Sequence, residues 1–290
     1  MTQLLAGSLV LSALYALLAA GFVVVYRGSR VLNLAHGDLM MLGGYLAFTV
    51  APVVRSLWVA ALIAVSLSCL LGFAIYLVLI RPVIGQRAHA VTLVTVGLSI
   101  LLRGVATLIW GSDFRYLSTV FHVANTAVSL PFGAVLGVID LAMVAAAILY
   151  LLFLYLVFFR VRLGVQMRAV AEAPVLASQR GINIYWIFGL SWSVAILGAS
   201  IAGILYGLNS HLNPEMGPIG LMAIPAAIVG GMDSFAGVIP GAILVGVTQG
   251  IVYRYVDPII GNVVPMVILL IVLILKPWGF FGTKEEIERV

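Results

Sequence analysis

Charge is scarce in this chain. Of its 290 residues, 63% are hydrophobic and 9% are charged, whereas about 25% of the residues in a soluble domain are charged. Uncharged runs cover 4–26, 56–80, 141–159, 182–214 and 259–275, and a helix of about 20 residues crosses the hydrocarbon core of a membrane. The composition therefore excludes a soluble protein and predicts an all-α polytopic membrane protein.

Lysine and cysteine are also scarce. The two lysines, Lys276 and Lys284, follow Leu275 and Thr283, so neither stands in the Gly-Lys-Ser/Thr sequence of a phosphate-binding loop. We therefore expect this chain to have no ATPase or other enzymatic activity of its own. The single cysteine, Cys69, lies in an apolar run and is expected to pack there. The four histidines lie in four separate segments, so the spacing of a metal site is missing, and we expect no metal or other cofactor in this chain.

Basic residues are concentrated in alternate loops. The loops after the first, third and fifth apolar segments contain Arg27, Arg30, Arg81, Arg87, Arg160, Arg162, Arg168 and Arg180. The loops after the second and fourth segments contain only Arg55 and Arg115. Cytoplasmic loops carry an excess of Lys and Arg, so this bias predicts an N-terminus outside the membrane. The same bias accounts for the net charge of +5 without any nucleic-acid partner.

The number of membrane segments depends on one region. Residues 220–253 are broken by prolines and glycines. They are interpreted either as two short spans or as a re-entrant element followed by one span. We therefore predict about eight or nine transmembrane or re-entrant helices within a single membrane domain, 1–290. Two spans would place the C-terminus in the cytoplasm, which suits Lys276 and Lys284 just after the last apolar run.

Polar residues interrupt the second segment, 31–51. This segment contains Asn33, His36 and Asp38 together with Gly37, Gly43 and Gly44. Polar groups at membrane depth are costly and tend to face a cavity, a partner or a packed interface, and glycines let helices approach closely. If the whole segment is one helix, a single stripe carries Asn33, Gly37, Met40 or Met41, and Gly44.

Two interpretations of this stripe remain open. It is either a pore-lining or gating surface, or a tight packing seam with His36 and Asp38 hydrogen-bonded near the cytoplasmic interface. That depth follows from the position of the segment directly after Arg27 and Arg30.

The most basic loop covers 160–183. Residues 164–180 are predicted to form a short helix that ends at Gly181, with Pro174 kinking it or splitting it in two. An apolar stripe at helical spacing comprises Val165, Ala169, Ala173, Leu176 and Ala177, flanked by the charges of Arg168, Glu172 and Arg180. Such a helix either docks into a groove on a soluble partner or lies on the membrane surface as a basic anchor.

Several stretches together resemble one family. They are 9–17 (LVLSALYAL), 33–38 (NLAHGD), 168–173 (RAVAEA), 180–183 (RGIN), 226–231 (AAIVGG), 237–241 (GVIPG) and 276–282 (KPWGFFG). In this order they resemble the permeases of branched-chain amino-acid ABC importers, and more narrowly the LivH-type subunit. The resemblance covers nearly the whole chain. Gln249 stands where members of that family often carry an acidic residue.

The resemblance implies a permease subunit in the bacterial inner membrane. Its partners would be a second homologous permease, two cytoplasmic subunits that bind ATP and Mg²⁺, an extracytoplasmic solute-binding protein and membrane lipid. The substrate would be a branched-chain or other hydrophobic amino acid; relatives for urea, short amides, or organic or aromatic carboxylates are the alternatives. A self-sufficient channel or secondary transporter is the alternative from another class. The docking-type loop and the lack of paired intramembrane acids argue against it.

The resemblance also implies roles for particular residues. The coupling loop, 160–183, would transmit movement of the ATPases through Arg168, Glu172, Ala173, Pro174, Arg180 and Gly181. The candidates for a translocation path or gate are Asn33, His36, Gly37, Asp38, Met41, Gly230 and Gly231.

Overall fold

The computed structural model describes residues 1–84, 86, 88–130 and 133–283. The helices are α1 (Thr2–Ser29), α2 (His36–Val54), α3 (Leu57–Ile75), α4 (Ala88–Trp110), α5 (Leu117–Val120), α6 (Val138–Arg160), α7 (Arg162–Glu172), α8 (Pro174–Gln179), α9 (Ile184–Asn209), α10 (Gly217–Leu221), α11 (Ile224–Gly230), α12 (Phe235–Tyr255) and α13 (Pro258–Leu275). A π-helical turn, Tyr76–Ile80, extends α3. Within the described residues the strands are β1 (Ala127–Ser129) and β2 (Val135–Gly137), which pair antiparallel.

Eight of these helices are long and apolar enough to cross a membrane: α1, α2, α3, α4, α6, α9, α12 and α13. The prediction of an all-α polytopic membrane fold is confirmed. Helix α1 lies at the centre, packed against α6, α9 and α12. Small residues allow its closest approach to α12, where Ser12 faces Gly246 and Ser8 faces Gly250, as is usual for helices that pack within lipid.

The two ends of the bundle differ in charge. At one end, the Arg27 guanidinium lies 5.1 Å from the centroid of the Phe235 ring, and that ring packs 4.4 Å from the ring of Phe158. The arginine-rich ends of α1 and α6 therefore meet the start of α12 on one side. At the other end, Gln3 exchanges two 2.7 Å hydrogen bonds with the backbone of Val135. By the bias of basic residues, the first end is cytoplasmic and Gln3 lies outside.

One further crossing is discontinuous. The broken crossing, Pro214–Gly230, consists of a 3₁₀ turn over Pro214–Met216 followed by α10 and α11. Just before it, Leu212 pairs with the backbone of Arg115 on the outer side. At its far end the carbonyl groups of Val229 and Gly230 accept hydrogen bonds from the backbone N–H groups of Phe280 and Phe281, after α13.

The broken crossing therefore connects the outer side to the cytoplasmic side. Of the two interpretations of 220–253, the structure supports two spans, the second being α12. With the eight continuous helices, the described residues make nine crossings, which places the start of α1 outside and the end of α13 in the cytoplasm.

The second segment begins as a helix later than the sequence indicated. It was expected from Val31, but α2 starts at His36. The physical reason is local: the Asn33 side chain accepts a 3.1 Å hydrogen bond from the N–H of Ala35, a turn that competes with helix formation. Asn33 therefore does not share a helical stripe with Gly37 and Gly44, and that part of the prediction is wrong.

Candidate translocation and coupling sites

Helix α2 meets the broken crossing at three glycines. A Cβ atom on Gly37 would lie 2.0 Å from the carbonyl oxygen of Gly217, and one on Gly220 would lie 2.3 Å from Cα of Gly37. The two backbones therefore touch without intervening side chains. Irregular backbone at membrane depth occurs where it is buried in protein or lines a cavity, and discontinuous helices of this kind form the substrate sites of many transporters.

An ion pair lies at this junction. The Nε atom of Arg103, on α4, donates a 2.7 Å hydrogen bond to Oδ1 of Asp38, and the hydroxyl of Ser99 donates a 2.5 Å bond to Oδ2. Nη2 of Arg103 donates in turn to Ser99 at 3.3 Å. Asp38 is fully buried, whereas the side chain of Arg103 is 30% exposed. The charge of Asp38 is thus neutralised locally, as a buried carboxylate requires.

The depth of this pair corrects the sequence-based interpretation. Asp38 and His36 were expected near the cytoplasmic interface, but Ser99 lies eleven residues from each end of α4. The chain re-enters the bundle before α2 begins, because the N–H of Leu34 already bonds to the hydroxyl of Thr95. Asp38 therefore lies near mid-depth in the bundle and not at its inner end.

Arg103 was missed as a functional residue, although the sequence contains a signal for it. It is an arginine inside an otherwise apolar helix, and ionisable groups at such depth tend to face the bundle interior or a water-filled cavity. Its partner could not be predicted, since Asp38 precedes it by 65 positions.

The other candidates on the second segment are packed. Asn33, His36 and Met41 are buried. The ring of His36 lies 4.6 Å from that of Phe22 and covers Gly21, where a Cβ atom would be 2.5 Å from Nε2. These contacts are those of a packing seam. That these residues line a path or gate stays a prediction.

Gly230 and Gly231 lie far from this junction along the broken crossing, at its cytoplasmic end. A Cβ atom on Gly230 would be 2.2 Å from the carbonyl oxygen of Gly237. Gly231 has a φ of +107° and lies against the backbone of Gly282. The structure therefore separates these two glycines from Asp38, and their role in a path or gate stays a prediction.

The predicted break in the basic loop is confirmed. Helix α7 ends at Glu172 and α8 begins at Pro174, with Ala173 in a non-helical conformation between them (φ −146°, ψ 80°). Proline suits the first helical position, where its missing N–H is not needed. Gly181 has a φ of +79° directly after α8, which is the conformation expected of a glycine that ends a helix.

Arg168 is turned inward from this loop. Its guanidinium donates to the carbonyl oxygen of Phe158 and lies 5.5 Å from the centroid of the Phe159 ring. It therefore ties α7 to the last turn of α6, where carbonyl groups lack intrahelical partners. Since this contact uses the charge within the chain, Arg168 is placed to hold the loop against the membrane helices.

The surface of the loop that faces the cytoplasm is exposed. A shallow groove of about 270 Å³ is lined by Ala169, Glu172, Ala173, Leu176, Ala177, Arg180 and Ile182. Four of these residues belong to the predicted apolar stripe. Leu176 is 62% exposed, and Glu172, Pro174, Arg180 and Gly181 are exposed as well. The coupling hairpin, as we call Arg162–Gln179, thus presents apolar and charged side chains on the cytoplasmic side.

Comparison with known proteins identifies the family of this chain. The model of the family described as branched-chain amino acid transport system, permease component, matches residues 4–273. The chain belongs to this family.

Individual permeases of this type are similar along almost their whole length. The permease protein LivH of the high-affinity branched-chain amino acid transport system of Escherichia coli K12 is 29% identical over 301 residues, which cover 97% of this chain and 94% of LivH. BraD of Pseudomonas aeruginosa PAO1, named in the same way, is 29% identical over 307 residues, covering 99% and 97%. A probable LivH of Methanocaldococcus jannaschii is 27% identical over 308 residues, covering 99% and 95%.

Membership explains what the chain is and what it is not. As a permease component it is a transport subunit and not itself an enzyme. Its permease relatives, together with the eight apolar helices of the described residues, make it a multi-pass protein of the inner membrane. A permease component of a transport system works with other components of that system.

Proposed function

We propose that this permease forms half of the translocation path of an ATP-driven importer for branched-chain or other hydrophobic amino acids. The observation that carries the proposal is the match of residues 4–273 to the permease family, joined to a cytoplasmic hairpin whose apolar groove has no partner within the described residues. The substrate class rests on the relatives, whose names describe branched-chain amino acid transport.

The proposed importer contains four further proteins. A second, homologous permease supplies the other half of the path, and an extracytoplasmic binding protein delivers the amino acid. Two cytoplasmic subunits bind ATP and Mg²⁺ and hydrolyse the nucleotide, since this chain lacks a phosphate-binding loop. The coupling hairpin is where one of these subunits docks: Glu172, Leu176 and Arg180 form the contact surface, and Arg168 passes its movement to α6.

Reconstitution tests the proposal. Proteoliposomes that contain both permeases and both ATPase subunits, supplied with the binding protein and ATP, are expected to accumulate labelled leucine. Vesicles with this chain alone, or with a non-hydrolysable ATP analogue, are expected to accumulate none. Uptake by the chain alone, driven passively or by an ion gradient, would show that it is a self-sufficient transporter. Uptake of urea or benzoate in place of leucine would overturn the substrate class only.

A further inference from the structure

The charged junction of α4 with the broken crossing has one member that the chain leaves partly uncovered. Asp38 is fully buried, but the Arg103 side chain is 30% exposed, seven residues before α4 ends at Trp110. A guanidinium that faced hydrocarbon at this depth would be costly, so charged groups in such positions face protein or a water-filled cavity. We therefore expect the exposed side of Arg103 to border the aqueous path or the partner permease.

The guanidinium of Arg103 has N–H donors that no described residue accepts. Nε bonds to Asp38 and Nη2 to Ser99, while Nη1 donates no hydrogen bond to any described residue. Arginine presents five N–H donors in a planar fork whose edge matches the two oxygens of a carboxylate. One edge of the fork is held by the protein, and the other is available to a second carboxylate.

A carboxylate of the chain lies in the turn that packs on α4 and forms no ion pair with Arg103. Glu215 is in the 3₁₀ turn that opens the broken crossing, and that turn packs on α4. Two residues later, a Cβ atom on Gly217 would be 3.3 Å from Nη2 of Arg103. Glu215 thus lies two residues from a position that touches the guanidinium, yet the two charged groups are not within 4 Å, and Glu215 is exposed with no hydrogen bond to any described residue.

We propose that Arg103 and Glu215 form a binding site for the main-chain zwitterion of an α-amino acid, at the outer half of the broken crossing. Arg103 takes the substrate carboxylate with its outward edge, and Glu215 takes the ammonium group. Both oxygens of Asp38 are already bonded to Arg103 and Ser99, so the free N–H donors of Arg103 and the carboxylate of Glu215 remain for a ligand that carries one anionic and one cationic group. Asp38 and Ser99 position Arg103 and do not touch the ligand.

The site rests on the proposed function, because it names how that importer would recognise its substrate within the membrane. It also assigns the side chain of the amino acid no role at Arg103 or Glu215. Selection among hydrophobic side chains then belongs to other surfaces of the path or to the binding protein.

The test is the ratio of leucine imported to ATP hydrolysed in the complete complex, with binding protein saturated by leucine. Glu215→Gln is expected to lower this ratio about tenfold or more, because the ammonium group of the substrate loses its anionic partner at each passage. Hydrolysis stimulated by the loaded binding protein is expected to stay within twofold. Glu215→Asp, which keeps the charge, is expected to recover at least half of the ratio.

Asp113→Asn is the matched control, since it removes an exposed carboxylate on the same side of the protein and is expected to change neither quantity. An unchanged ratio in Glu215→Gln overturns the site, and so does a parallel fall of uptake and hydrolysis, which is what a merely structural role predicts. Both results require that the unmodified complex imports leucine. If it does not, the proposed function itself has failed, and the site fails with it.

Discussion

At the scale of single residues, Asp38 has the most constrained surroundings. It is fully buried, and both of its carboxylate oxygens accept hydrogen bonds, from Arg103 and Ser99. Asp38→Asn keeps the shape but leaves the guanidinium without its counter-charge. Breaking a buried pair costs about 3–5 kcal/mol; because Arg103 is partly exposed, we expect a loss of about 2–3 kcal/mol, measured as a lower thermal unfolding midpoint in detergent.

A double variant separates the pair from simple packing. Asp38→Asn combined with Arg103→Gln removes both charges and is expected to recover part of the lost stability, since the stranded charge is gone. Asp113→Asn again controls for the loss of one carboxylate. If Asp38→Asn unfolds at the same temperature as the unmodified protein and transports normally, the ion pair contributes nothing measurable.

A second buried polar group is Gln249, which stands where members of the family often carry an acidic residue. Its Oε1 accepts a 2.6 Å hydrogen bond from Tyr15, and its Nε2 donates at 2.9 Å to Tyr253, whose hydroxyl donates to Asn262. The amide is thus satisfied as both acceptor and donor between α1, α12 and α13. A carboxylate at this position would lose the donor that Tyr253 requires, which gives a physical reason for glutamine here.

At the scale of elements, the contact of α2 with the broken crossing depends on missing side chains. Gly220→Ala would place Cβ 2.3 Å from Cα of Gly37, and two backbones would have to separate. Overpacking of this kind costs about 1–3 kcal/mol, and we expect a matching fall in unfolding temperature together with loss of transport. Gly97→Ala on α4 is the control, because its Cβ would meet nothing within 4 Å; we expect a change within about 0.5 kcal/mol. Equal effects of the two changes would contradict the close approach.

In the coupling hairpin, the residue that contacts α6 differs from the residue that is exposed to the cytoplasm, so we assign them different roles. The family resemblance placed Arg168 among the residues that transmit movement of the ATPases, and the structure turns this side chain toward Phe158, away from the exposed groove. We now expect Arg168→Ala to leave the complex intact and to reduce uptake per ATP. Leu176→Glu instead places a charge on the exposed groove and is expected to lose the ATPases on co-purification. Retention of the ATPases by Leu176→Glu, or their loss from Arg168→Ala, would reverse this assignment.

At the scale of the whole molecule, the features that depend on composition and on helix-breaking residues were predicted better than those that depend on particular side-chain contacts. Apolar runs, arginine-rich loops and the position of Pro174 act through lipid and backbone geometry, so the spans, the sidedness and the split hairpin follow from them. The late start of α2 depends on the turn that the Asn33 side chain makes with Ala35, and the pairing of Arg103 with Asp38 depends on a tertiary contact across 65 positions. No spacing in the sequence shows that this turn or this pair forms, and this is why the stripe through Asn33 and the shallow depth of Asp38 were wrong.

The nine-crossing topology can be tested at one position. Val256, which is 64% exposed, lies between α12 and α13. It is outside if Pro214–Gly230 crosses the membrane, but cytoplasmic if that segment is re-entrant. In a Cys69→Ser background, we expect Val256→Cys to react with a membrane-impermeant maleimide in right-side-out vesicles. Glu172→Cys on the coupling hairpin is expected to react only after permeabilisation. Labelling of Val256→Cys only after permeabilisation would reduce the crossings to eight and place the start of the broken crossing and its end on the same side.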